Sequence, residues 1–103
     1  MGIIHKDVLV PSDKSCLEGC VAVDERFRTV CARYQKIWGV DLLVPESLRS
    51  DLFRWRQMIS RYNKGDFRHT EAELRSLKAI AQWTVDVNSS LCNQPTIKID
   101  WGN

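Results

Sequence analysis

Four cysteines and two histidines are the side chains of this 103-residue sequence best suited to metal or nucleophilic chemistry. Cys16 and Cys20 are spaced i,i+4, which puts two thiols on one face of a helix, where Cys31, Cys92, His5 or His69 could complete a zinc shell. Cysteine-built zinc sites usually come as two close pairs, and this chain has a single pair spaced C-x3-C. The expectation is no metal, no cofactor and reduced thiols, since nothing in the sequence supplies the oxidising compartment that disulfides need. A cysteine nucleophile also needs a base within hydrogen-bond reach. Only His5 and His69 are on offer, neither in a recognisable local signature, and both are expected to be exposed at element boundaries. The acidic residues Asp24, Glu25, Glu46, Asp51, Glu71 and Glu73 fall in first helical turns or on polar faces, where they complement helix dipoles. The five glycines are scattered, so no glycine-rich phosphate loop is present. No catalytic residue is expected, and the sequence does not read as an enzyme.

A second kind of chemistry is recognition. Arg49 and Arg56 are seven residues apart, as are Arg54 and Arg61, and with Phe53, Gln57 and Lys64 they are expected to form a basic, aromatic-bearing helix face. Arginine forks onto carboxylate or phosphate, and aromatic side chains are enriched among interface hot spots, so such a face suits an acidic protein surface or a phosphate backbone. The competing reading is a solvated helix face with Phe53 tucked under a neighbouring loop. Of the four tryptophans, Trp38, Trp55 and Trp83 are expected on or near core stripes, whereas Trp101 is either an anchor for the C-terminal tail or a contact residue.

The elements that must carry these residues follow from hydrophobic spacing. Ser15-Cys16-Leu17-Glu18 matches a capping box, and Cys20, Val23, Phe27, Cys31, Tyr34 and Trp38 then recur at helical intervals, giving a first helix at about 15–38 that ends near Gly39. An apolar connector, Val40-Asp41-Leu42-Leu43-Val44, leads to Pro45, which suits a first helical turn. Leu48, Leu52, Trp55, Ile59 and Tyr62 define a second helix at about 46–63, with Gly65 as a left-handed stop. Thr70-Glu71-Ala72-Glu73 offers another capping box, and Leu74, Leu77, Ile80, Val87 and Leu91 mark a third helix at about 71–91. The reading is a mostly α, three-helix bundle in one domain spanning 1–103. An N-terminal arm, 1–11, and a C-terminal tail, 95–103, flank the helices as short extended segments able to pair with each other.

Composition narrows the class further. The hydrophobic share is 44% and the charged share 27%, as in an ordinary globular protein able to fold alone or as a homodimer with a copy of itself. A net charge of +2 is too small to commit the chain to nucleic acid and has the wrong sign for a DNA mimic. The first residues lack a secretory pattern, no run approaches a membrane span, and Lys6 spoils a myristoylation motif, so the cytosol is the expected location and no membrane the expected environment.

Trp38-Gly39-Val40-Asp41, Leu43-Val44-Pro45-x-x-Leu48, Phe53, Arg56-Gln57, Gly65-Asp66 and Trp83 together resemble a pattern found in small phage- and prophage-encoded proteins. The similarity covers about residues 27–91. It supplies no functional residue to carry over; what it implies is context, since small early phage proteins often bind and redirect host proteins. The leading expectation is a non-enzymatic interaction protein that inhibits or redirects a host protein or complex, such as a CRISPR or recombination nuclease or another defence complex. The partner-binding candidates are Arg49, Phe53, Arg54, Arg56, Gln57, Arg61, Lys64 and Trp101. The alternative is a small nucleic-acid-binding regulator using the same arginines, although the helix connections do not read as a helix-turn-helix.

Overall fold

A backbone turn that reverses on Gly39 and another on Gly65 divide the chain into three long helices. Both glycines have positive φ, 75° and 88°, which a side chain would strain. Each also donates its N–H back to the helix it ends, Gly39 to the Gln35 carbonyl and Gly65 to that of Tyr62. A computed structural model describes residues 8–92. Among these are α1 (Lys14–Trp38), a 3-10 turn (Glu46–Leu48) that runs straight into α2 (Arg49–Asn63), and α3 (Glu71–Cys92), with a two-stranded antiparallel sheet of β1 (Val10–Pro11) and β2 (Arg68–His69). The protein is therefore a mostly α, three-helix fold, as the hydrophobic spacing predicts.

Local chemistry explains most boundaries. The Thr70 capping box forms as expected: the Glu73 amide donates to Thr70 Oγ1 at 3.1 Å, and the Thr70 amide donates to Glu73 Oε1 at 3.0 Å. At α1 the structure corrects the sequence reading. Asp13, not Ser15, is the cap, its carboxylate accepting from the Cys16 amide at 2.8 Å, and Ser15 lies inside the helix. That amide and that of Ser15 hold the Asp13 carboxyl below its ordinary pKa, helped by the nearby charge of His69.

The helices share one apolar core. Cys20 and Val23 of α1, Trp55 and Met58 of α2, and Leu77 and Ile80 of α3 are buried together, with Phe27, Leu52, Ile59, Tyr62 and Leu74 packed around them. Three buried polar residues of α3 tie it to the other two helices. Ser76 Oγ donates to Asp51 at 2.8 Å and accepts from Arg54 Nε at 2.9 Å, Thr84 Oγ1 accepts from Arg26 Nε at 3.0 Å, and Glu73 meets Arg61. Being partnered, these groups can be buried without the cost of an orphaned donor or acceptor. The pairs Arg26–Thr84 and Arg33–Asn88 advance together along both helices, so α1 and α3 run in the same sense.

The end of the N-terminal arm pairs with the segment between α2 and α3. Val10 pairs with His69 and Pro11 with Arg68, and the Ser12 amide donates to the Phe67 carbonyl at 2.9 Å. The proposed pairing of arm and C-terminal tail lies outside the described residues, as do His5 and Trp101. His69, expected to be exposed, is 6% exposed, because the arm covers it. Its Nδ1 lies 2.6 Å from Ser12 Oγ, which also hydrogen-bonds to the Tyr62 hydroxyl at 2.5 Å. Ser12→Ala is expected to leave both partners unsatisfied and to cost about 1–3 kcal/mol. Urea denaturation measures the cost, and faster amide exchange around Val10 should accompany it; a change below about 0.5 kcal/mol would contradict the role given to this hydroxyl.

Candidate functional site

The seven candidate residues on and just beyond α2 do not form one face. Arg49, Phe53 and Arg56 are spaced i, i+4, i+7 and line up on one side of the helix. Arg54 lies five residues beyond Arg49, which turns it about 140° around the axis. That rotation decides the fate of each arginine. Arg54 is half-buried, donating to Ser76 and approaching Asp51 at 3.4 Å. Arg61 forks onto Glu73, Nη1 to Oε1 at 2.6 Å and Nη2 to Oε2 at 2.8 Å, and also donates to the Arg68 carbonyl at 3.1 Å. Gln57 and Lys64 are exposed and line a shallow hollow beside Arg61 and Asp66.

Arg49, Phe53 and Arg56 remain together at the surface. Phe53 is 63% exposed, so no loop covers it. Arg56 lies over the Phe27 ring, its guanidinium carbon 5.8 Å from the ring centroid, which holds the cation against an aromatic face. Neither Arg49 nor Arg56 has a carboxylate partner among the described residues. The apolar connector closes this side: Leu42, Leu43 and Val44 line the same hollow as Arg49, Phe53 and Arg56, and Leu43 is 77% exposed.

Sequence reasoning therefore missed Phe27, Cys31 and Leu43 as members of this face. The signal for Leu43 was the run of apolar residues in a connector with no periodicity of its own. Phe27 and Cys31 gave no such signal, because their helical spacing marks them equally well as core. Trp38, assigned to the core stripe of α1, is 41% exposed, stacked near Tyr34 at 6.1 Å between ring centroids. Trp55 and Trp83 do reach the aromatic core, at 5.3 Å and 5.8 Å from Phe27.

The chemistry open to the thiols is limited. Burial pushes the Cys20 thiol up to about 11, against a smaller opposing effect of Trp55. Burial likewise raises Cys16 and Cys31, in the latter case against the nearby Arg56. Thiols raised this way stay protonated near neutral pH, and the protonated form is neither a good nucleophile nor a metal ligand. Among the described residues no three His, Cys, Asp or Glu side chains converge to hold a metal ion. The contact of Ser12 with His69 superficially suggests a hydrolase, but Ser12 also bonds to Tyr62, and the contact fastens the arm to β2. Among the same residues no helix is long and apolar enough to cross a membrane. What the site can do is bind: two guanidinium groups without a carboxylate partner among the described residues flank exposed apolar side chains. Comparison with known proteins finds no family model, no curated protein and no solved structure that matches this chain.

Proposed function

We infer that the chain is a non-enzymatic interaction protein that docks the Arg49–Phe53–Arg56 face onto an acidic surface of another protein. The observation that carries this reading is the juxtaposition of exposed Phe53 and Leu43 with two arginines that have no carboxylate partner among the described residues. Exposed aromatic and arginine side chains are the residue types that supply most binding energy at interfaces, provided that a partner excludes water from around them. The phage-like sequence pattern supplies the biological setting: a phage-encoded protein acting in the bacterial cytosol to inhibit or redirect a host nuclease or defence complex.

The nucleic-acid alternative is weakened by the same geometry. Arg54 and Arg61 are committed to Ser76, Asp51 and Glu73, which removes two of the cations a phosphate backbone would need. Each remaining phosphate contact adds only one step to the salt-dependent affinity.

Affinity capture from bacterial lysate with the full chain tests the proposal. Arg49→Glu, Arg56→Glu and Phe53→Ala are each expected to weaken the captured complex roughly tenfold or more, the loss expected of a central contact residue. Phe53→Ala should do so without lowering the urea midpoint, because the ring is exposed. A captured complex indifferent to all three, or retention of oligonucleotide in place of protein, sinks the reading.

A further inference from the structure

The backbones of α1 and α2 each lie along α3 but seldom approach one another. Phe27 and Trp55 bridge the gap between them. Over that bridge run two open hollows of about 590 and 640 Å³ that share Phe27, Cys31 and Arg56, so together they form one trough. It extends from the 40–45 connector to Lys64 at the far end of α2. Its floor is apolar, built on Phe27, Cys31, Leu52 and Ile59. Among the described residues its rim carries Arg28, Arg49, Arg56 and Lys64 against Asp24 and Asp41, and Asp24 already faces Arg28 at 3.3 Å.

We propose that this trough receives an acidic amphipathic helix from a protein partner. The proposal rests on the reading of this face as a protein contact and adds the shape and charge of what it binds. Apart from the 41–44 connector at one end, the walls are two helices whose backbone groups are bonded internally, and the floor is hydrocarbon and aromatic. An occupant must therefore satisfy its own backbone donors and acceptors, and a helix does so where an extended segment does not. The length fits as well. The 15 residues of α2 span about 22 Å at ~1.5 Å per residue, room for roughly four turns of a helix laid alongside. An apolar stripe at i, i+3, i+4 and i+7 would cover Phe27, Leu52 and Ile59, while carboxylates on its flanks reach Arg49, Arg56 and Lys64. A strand of nucleic acid matches the trough less well, since its phosphates would find an apolar floor and a rim partly neutralised by Asp24 and Asp41.

Cys31 is a reporter placed in the trough itself. In the full chain carrying Cys16→Ser and Cys92→Ser, the remaining thiols are Cys31 and Cys20, and Cys20 is 3% exposed. The probe is a synthetic amphipathic peptide about four turns long, with a leucine and phenylalanine stripe flanked by glutamates. At saturation it is expected to slow maleimide modification of Cys31 by roughly tenfold or more, and Arg49→Glu with Arg56→Glu should abolish the protection. Absence of protection, equal protection by the same peptide with lysines for glutamates, or protection by a single-stranded oligonucleotide instead would each overturn the proposal. Substitutions at Arg49, Phe53 and Arg56 that dissolve a captured complex, alongside no peptide protection, would remove the helical occupant and leave the protein-contact reading standing. A captured complex indifferent to those substitutions removes the reading itself.

Discussion

Replacing Arg61 with alanine should destabilise the protein by about 3–5 kcal/mol, the range found when one partner of a buried ion pair is removed and the other stays behind. The side chain left behind would be Glu73, 4% exposed, whereas Arg61 is 21% exposed. Glu73→Ala should therefore cost less than Arg61→Ala, because a stranded Arg61 can reach water along its alkyl stem. Glu73→Ala still loses half of the Thr70 capping box, so its cost will not be small. The double variant Arg61→Ala, Glu73→Ala should lose less than the sum of the two singles, since no charge is left unpaired. Urea midpoints at constant m-value measure all three. Equal costs for the two alanine variants, or strict additivity in the double variant, would show that the pair is not coupled as its geometry requires.

The same pair predicts how stability depends on pH. Burial alone would raise the Glu73 pKa, but the Arg61 hydrogen bonds, the Thr70 amide and the positive charges of Arg61 and His69 outweigh it and hold the carboxyl below its ordinary 4.5. A carboxyl depressed in the folded state contributes its full stabilisation above the unfolded value. That contribution is lost as the pH falls through the lower folded value. The loss of stability on acidification should accordingly begin below about pH 4.5 and be shallower in Glu73→Gln. It should not vanish there, because Asp13 and Asp66 are also held below their ordinary values, by the Cys16 amide and by Arg68.

The helices were legible in the sequence because each signal is local: a stripe of apolar residues every three or four positions, a glycine after α1 and after α2, and a capping box at α3 whose two halves are three residues apart. What the sequence concealed depends on contacts between distant residues. Ser76 and Thr84 have side chains usually found at the surface; Ser76 is satisfied by Arg54 and Asp51 on α2, and Thr84 by Arg26 on α1 together with the Ala81 carbonyl of its own helix. Met58 and Val30 lie off the chosen stripes, yet both are fully buried. Met58, at i+3 from Trp55, flanks the Leu48–Leu52–Trp55–Ile59–Tyr62 stripe, so the buried arc of α2 is wider than that stripe. Trp38 fails in the opposite sense. Its stripe continues, yet the ring lines an open hollow with Leu42 and with Val87 and Leu91 of α3, and 41% of it is exposed. The arginine pairs 49/56 and 54/61 have identical spacing, and no rule of spacing says which pair turns inward. Glu73 and Ser76 decide it, from the facing side of α3.

Trp55 joins stability to the proposed binding face. It is 1% exposed, lies in the core with Met58, Leu77 and Ile80, and touches Phe27 at the base of the trough. Trp55→Ala should cost about 3–5 kcal/mol, the transfer and cavity cost of deleting a large buried aromatic. For a domain whose whole stability is on the order of 5–15 kcal/mol, the loss is large. The indole N–H contributes little to this, since it has no hydrogen-bond partner of normal geometry and only a weak influence on the Cys20 thiol. Trp55→Phe should then cost about 1–2 kcal/mol, for lost volume alone. A phenylalanine variant as unstable as the alanine one would show that the N–H matters after all. Because this ring and Phe27 hold α1 and α2 apart, Trp55→Ala should also lose peptide protection of Cys31 while still folded at low temperature. Phe53→Ala should weaken partner capture with no change in the unfolding midpoint. A core residue that shapes the trough and a surface residue that only touches its occupant are thus separable by two measurements on the same pair of variants.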